Sequence, residues 1–352
     1  MFNFYPGPSK LAANMAQYCL EAVDDGILER NHRSEPFRQL YQETLVQFQQ
    51  KLQLPTDYKL LFISSATEAW EVIAQSLTNN KSGHFFNGAF GNKWFSYAQK
   101  LHKADSHTFS INQLPDLTNL TVAPDLLAFT QNETSNGTQL PDEFMEEIGK
   151  VHKESLIAYD VTSSLGGINL NWALGDVWFA SVQKCFGLPS GLGLLILSPR
   201  AIERAEVLQD NKHYNSVLPM LNNAEKWQTH YTPNILNIYL LKRVLEERPS
   251  IEALSNALVE RAEKLYTEIE SFRHFNLLVS NKAVRSNTVL CIEAKPEIVE
   301  QVKRAAMNKA ILFGNGYGEL KHSTFRIANF PAIKEQDFDV LMRFLKDFDA
   351  RF

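Results

Sequence analysis

Residues 156–198 read LIAYDVTSSLGGINLNWALGDVWFASVQKCFGLPSGLGLLILS. Three short apolar runs, LIAYD (156–160), DVWFAS (176–181) and LGLLILS (192–198), are separated by stretches rich in Gly, Ser and Asn or Pro. Runs of that length, continuous rather than alternating and bounded by turn residues, predict strands buried on both faces. That is the mark of a largely parallel sheet with helices on either side. Toward the N-terminus, LLFIS (60–64), HFFNG (84–88) and LLAFT (126–130) repeat the pattern. The intervening segments have helical period. Thr67 to Leu77 puts Trp70, Ile73, Ala74 and Leu77 on one face, and EFMEEIGKVHKE (143–154) is amphipathic with acids at its start, where the helix dipole favours them.

Toward the C-terminus the pattern changes. In SIEALSNALVERAEKLYTEI (250–269), Ile251, Leu254, Leu258 and Leu265 recur at helical spacing behind a candidate N-cap, Ser250. Strand-like NTVLCIEA (287–294), helical PEIVEQVKRAAM (296–307), strand-like STFRIANF (323–330) and a last amphipathic helix follow. GNGYG (314–318) reads as a turn, because strand-like rather than helical sequence follows it. The expected fold is therefore α/β, with a large domain over residues 16–245 carrying the mostly parallel sheet. Residues 1–15 and 246–352 are expected to form a smaller α+β domain.

Composition narrows the function classes. The chain has 352 residues and a formal charge of −5, too small for its size to point to nucleic acid or an anionic membrane. Cys19, Cys185 and Cys291 are odd in number and widely spaced, which suits a reducing cytoplasmic compartment. The opening FNFYPGPSK has no secretion-signal pattern, and no stretch approaches the roughly 20 apolar residues of a membrane span. The nine histidines show no zinc-binding spacing, so no metal is expected.

Lys184 follows the run DVWFAS and precedes a glycine-rich stretch, and Asp160 ends the run LIAYD. Ligands of open α/β sheets bind at the carboxyl ends of strands, so these two side chains are placed to converge. A lysine amine, a carboxylate and a phosphate cradle together are what pyridoxal 5′-phosphate needs: a Schiff-base partner, a counter-charge for its ring nitrogen, and anion donors. The cradle is expected at ISSATEAWE (63–71), where a strand runs into a helix N-terminus.

With these residues in view, the chain resembles the class V, fold-type I aminotransferases, the group that includes the phosphoserine and the alanine/serine–glyoxylate enzymes. NFYPGPSKL (3–11), NHRSEPF (31–37), SSATEAWE (64–71), NGAFGNKW (87–94), NETSNG (132–137), DVTSSLGG (160–167), SVQKCFGLPSGLG (181–193), HYTPNI (230–235) and GELKHSTFRIANF (318–330) carry the resemblance in order. It implies that Lys184 and Asp160 are catalytic and that Ala66, Thr67, Phe90, Thr134 and Gln183 contact the cofactor. Phe90 would stack on its ring, Thr134 would bond its phenolic oxygen, and Ala66, Thr67 and Gln183 would hold its phosphate.

The resemblance further implies a homodimer with shared active sites, in which Thr232 reaches the neighbouring subunit's cofactor phosphate. Arg326 would grip the substrate carboxylate, and His32 and Arg33 would meet the substrate's phosphate. Thr67 stands where the phosphoserine enzymes carry a further arginine. The implied reaction is amino transfer between 3-phosphoserine and 2-oxoglutarate, with alanine/serine–glyoxylate transamination as the alternative, favoured by DVTSSLGG and the GYGELKHSTFRIANF tail. A cysteine desulfurase would need a thiol on a mobile loop. Cys291 lies in an apolar run and Cys185 directly follows Lys184. A serine hydrolase would need G-x-S-x-G, which GLPSGLG lacks.

Overall fold

The computed structural model describes residues 1–118, 120 and 124–351. A seven-stranded sheet runs in the spatial order Lys59–Ile63, Gly193–Leu197, Val177–Ser181, Leu156–Asp160, Leu126–Thr130, Lys81–Phe86, Lys103–Thr108. All six apolar runs become strands of this sheet. Their side chains are buried on both faces, as a sheet covered by helices requires. The seventh strand, Lys103–Thr108, is an edge whose side chains alternate in exposure. Its sequence KADSHT lacks the apolar run that marks the others.

Pairing is parallel from Val177–Ser181 to the Lys103–Thr108 edge, and Gly193–Leu197 is antiparallel to both its neighbours. The reason is the length of the connection. Only residues 182–192 link Val177–Ser181 to Gly193–Leu197 and no helix lies among them, whereas a parallel crossover needs a helix-sized link. Gly187 and Gly191 turn the chain there with φ of +66° and +109°. Gly193 serves closeness instead, because a Cβ on it would lie 2.6 Å from the backbone of Ser65.

The second sheet has five strands in the order Phe2–Phe4, Ile311–Asn315, Thr324–Ala328, Val289–Glu293, Asn276–Leu277. Phe2–Phe4 lies parallel to Ile311–Asn315, so the first residues of the chain complete a sheet built from the last hundred. The helices Ile251–Glu270, Pro296–Asn308 and Glu335–Asp349 supply the core beside it, where Phe4, Phe325, Ile327 and Leu341 are fully buried. Each such side chain contributes about 1.5–3 kcal/mol relative to exposure. Ser250 caps Ile251–Glu270 by accepting a bond from the N–H of Ala253. Gly314 and Asn315, read above as part of a turn, instead end the strand Ile311–Asn315 through pairing with Arg326 and Phe325.

Candidate functional site

Parallel strands deliver their carboxyl ends to one edge of the large sheet. Thr130 lies in register with Asp160, and Asp160 with Phe179, so the chain segments that leave these strands open onto the same space. Residues 5–8 cross that space on their way from the second sheet. Ser9 anchors them by donating its N–H to the Gln183 carbonyl (3.0 Å) and its hydroxyl to the Lys184 carbonyl (2.9 Å). Gly7 passes so close that a Cβ there would meet Lys184 Cε at 3.2 Å. The cavity there is about 540 Å³, and its wall includes Thr67, Phe90, Thr134, Asp160, Lys184 and Arg326.

Lys184 is 7% exposed, and its Nζ donates to Thr134 Oγ1 at 2.5 Å and lies 5.1 Å from the centre of the Phe90 ring. Burial pushes its amine down to about 8, against the opposing charges of Asp160 and Glu133. Asp160 ends the strand Leu156–Asp160 and accepts from the Thr162 N–H at 2.9 Å. Burial raises its carboxyl above the ordinary range, while the bond from the Thr162 N–H and the Lys184 charge act in the opposite sense.

Arg326 lies on Thr324–Ala328 of the second sheet and is 5% exposed. Its Nε donates to the Asn315 carbonyl (2.7 Å) and its Nη1 to the Thr134 carbonyl (2.8 Å). Those two bonds fix the guanidinium plane and leave three of its five N–H donors. Burial lowers its pKa.

The helix Ala66–Ser76 begins at the cavity. Ser65 caps it by accepting from the Glu68 N–H, and the Ala66 N–H donates to Ser181 Oγ at 2.8 Å. Around this wall Trp70 Nε1, Thr130 Oγ1, Asn132 Oδ1, Thr162 Oγ1 and Gln183 Oε1 are buried with no hydrogen-bond partner among the described residues. A buried polar atom left unsatisfied costs about 1–3 kcal/mol, so this wall is made for a polar ligand. A carboxylate, a lysine amine, an aromatic face, a helix N-terminus and that ring of polar atoms fit a phosphorylated heteroaromatic aldehyde. Among the described residues no group of three or more His, Cys, Asp or Glu is placed to hold a metal ion.

Of the residues singled out in the sequence, Ala66, Thr67, Phe90, Thr134, Asp160, Gln183, Lys184 and Arg326 all line this cavity. His32, Arg33 and Thr232 do not line the cavity of their own chain; Arg33 and Thr232 are exposed. Sequence reasoning missed Glu133. It is 1% exposed and accepts four bonds: from the N–H groups of Phe90 and Gly91 on one oxygen, and from the N–H and hydroxyl of Ser135 on the other. It thereby ties the hairpin bearing Thr134 to the start of the helix Ala89–Leu101 bearing Phe90. Its position beside Thr134 in NETSNG was the available signal.

Known proteins are similar to the chain over nearly its whole length. A family model described as "Aminotransferase class-V" matches residues 2–317. The phosphoserine aminotransferase of Rhodococcus opacus (strain B4) is 27% identical over 349 residues, covering 96% of this chain and 92% of the relative. The solved phosphoserine aminotransferase of Cytophaga hutchinsonii superposes with a TM-score of 0.92 at 34% identity, over 98% of both chains. An alanine–glyoxylate aminotransferase from Nostoc sp. shares the fold, with a TM-score of 0.82 at 22% identity over 98% of this chain and 94% of that one.

Proposed function

The chain belongs to the class-V aminotransferase family, and from that membership we propose that it moves the amino group of 3-phosphoserine to 2-oxoglutarate. The products are 3-phosphooxypyruvate and glutamate, a step of serine biosynthesis, and the cofactor is pyridoxal 5′-phosphate. The observation that carries this reading is the meeting of Lys184, Asp160 and Arg326, from two different sheets, in one cavity. The Rhodococcus and Cytophaga relatives, both phosphoserine aminotransferases, support it. The glyoxylate alternative has the DVTSSLGG run and the GYGELKHSTFRIANF tail behind it, while the alanine–glyoxylate neighbour, at 22% identity, speaks for the fold alone.

Bound here, the cofactor supplies an electron sink for the charge that develops at the substrate α-carbon. Lys184 would hold it covalently through Nζ. When free, that Nζ would be the base that takes the substrate's α-proton, a task its lowered pKa suits because the neutral amine is the base. Asp160, kept from water by burial, would hold a proton on the ring nitrogen. Phe90 would pack against the ring face, and Thr67, Gln183 and the helix start at Ala66 would receive the cofactor phosphate. Arg326 takes the substrate α-carboxylate with its remaining donors, oriented by the Asn315 and Thr134 carbonyls.

His32, Arg33 and Thr232 serve the cavity of a second copy, which makes the active unit a homodimer with shared sites. The protein acts in the cytoplasm, consistent with three free thiols. Among the described residues no helix is long and apolar enough to cross a membrane. Purified protein supplied with the cofactor is expected to turn over 3-phosphoserine with 2-oxoglutarate, and Lys184→Ala to abolish that turnover. If serine or alanine with glyoxylate reacts faster than 3-phosphoserine with 2-oxoglutarate, the substrate assignment is overturned.

A further inference from the structure

The charged side chains on the cavity wall are Lys93, Asp160, Lys184 and Arg326. Under the proposed function, on which this inference rests, three of them already have tasks. Asp160 and Lys184 serve the cofactor, and Arg326 takes the α-carboxylate. A substrate such as 3-phosphoserine or glutamate carries a second anion, and Thr67 occupies the position where the sequence resemblance places an arginine for it. Beside His32 and Arg33, proposed to come from the second copy, Lys93 is the one remaining cation that this chain itself places on the wall among the described residues.

Its placement follows from helix geometry. Phe90, Lys93 and Tyr97 are spaced three and four residues apart on the helix Ala89–Leu101, which puts them on one face, and all three line the cavity. Lys93 Nζ lies 5.7 Å from the centre of the Phe90 ring and 5.1 Å from that of Tyr317, and it donates to the Tyr317 hydroxyl. Tyr317 in turn is 5.3 Å from Phe90, ring to ring, and Arg326 Cζ is 5.7 Å from the Tyr317 ring. A single aromatic residue thus separates the two cations. An ammonium has three N–H donors, so the bond to Tyr317 leaves two for a ligand, and the tyrosine hydroxyl can donate as well.

We infer that Lys93, with the Tyr317 hydroxyl, is a further specificity-determining site for the substrate's second anion, set across Tyr317 from the carboxylate site at Arg326 and added to His32 and Arg33 of the second copy. One bridge then recognises both partners of the exchange, since donor and acceptor each carry a carboxylate next to the reacting carbon and a second anion beyond it. Lys303 lies near enough to both Arg326 and Lys321 to feel their charges, so the surroundings of Arg326 are also electropositive on that side.

Equilibrium binding tests this without turnover. The probes are 3-phosphoglycerate, which has both anions but neither amine nor ketone, and glycerate, which lacks the phosphate. Calorimetry on the cofactor-loaded wild type is expected to find 3-phosphoglycerate the tighter ligand. Lys93→Met should narrow that gap by about tenfold, Tyr317→Phe should narrow it less, and Lys93→Arg should retain it. Lys93 is exposed, so its variants fold, and an unchanged melting temperature checks this. An equal gap in wild type and Lys93→Met, or no gap in the wild type, overturns the inference. Failure of the proposed function looks different: the gap and its loss in Lys93→Met persist, yet wild type does not turn over 3-phosphoserine.

Discussion

Lys184 loses part of its proton affinity to burial, and that cost appears twice, once in reactivity and once in stability. With a pKa of about 8 in place of 10.5, roughly a quarter of the amine is neutral at pH 7.5, against about 0.1% for an ordinary lysine, an advantage of about 200-fold. Capture of pyridoxal phosphate by the cofactor-free protein needs the neutral amine. Its rate, divided by the rate of the same aldehyde with N-acetyl-lysine to cancel the cofactor's own ionisation, should therefore stay level below about pH 8, where both amines gain alike, and fall above it, where only the reference amine continues to gain. Stopped-flow absorbance between pH 6 and 11 reads this directly. The second face concerns the fold. The folded value lies below the unfolded one, so the unfolded chain holds the extra proton. The resulting penalty is absent above about pH 10.5 and complete below about 8, where it amounts to about 3 kcal/mol. Lys184→Met should accordingly stabilise the cofactor-free protein at pH 7 by up to that amount in urea unfolding, and by little at pH 11. A normalised rate that stays level through pH 9, together with no gain from Lys184→Met, would refute the reasoning.

Three further outcomes follow from the same geometry. Glu133→Gln removes a charge that favours the protonated Lys184, so the break in the capture profile should move to lower pH, while cofactor affinity falls about tenfold as the Phe90 and Thr134 segments loosen; an unmoved break would show that Glu133 acts only through shape. Arg326→Lys loses the planar fork and should raise KM for both amino donor and oxo-acid acceptor by tenfold or more, with a smaller change in kcat; a kcat loss at unchanged KM would contradict its carboxylate role. His84 is buried against Trp94 and Phe95, its Nε2 and that of His102 sharing the Ser82 hydroxyl, and burial with the nearby His102 and His107 pushes it down to about 3. Stability from a base so depressed is present above about pH 6.5 and drains as pH falls toward 3, so about 2 kcal/mol should disappear between pH 7 and pH 5, and His84→Gln should flatten that slope; an equally steep slope in the variant would place the acid sensitivity elsewhere.

What the sequence by itself determined was local. Six apolar runs bounded by turn residues became six strands, because burial on both faces of a sheet demands an unbroken run of apolar side chains. The residues at or just past the ends of those runs, Asp160 and Lys184, were legible as neighbours because parallel strands end at a common edge. Ser250 was legible as a cap because capping needs only the adjacent backbone. The edge strand KADSHT was not, since a strand paired on one side keeps polar side chains and loses the apolar signal. Motif order named Arg326 and Phe90 but not what holds them. That depends on contacts far apart in the chain: Phe2–Phe4 joining Ile311–Asn315, which draws residues 5–8 over Lys184, and the Thr134 carbonyl meeting Arg326. Only tertiary structure sets burial, and burial is what lowers the Lys184 amine, raises the Asp160 carboxyl and gives Glu133 its four donors. The identity of the reacting groups is written in single residues, but their proton affinities belong to the fold that takes them out of water.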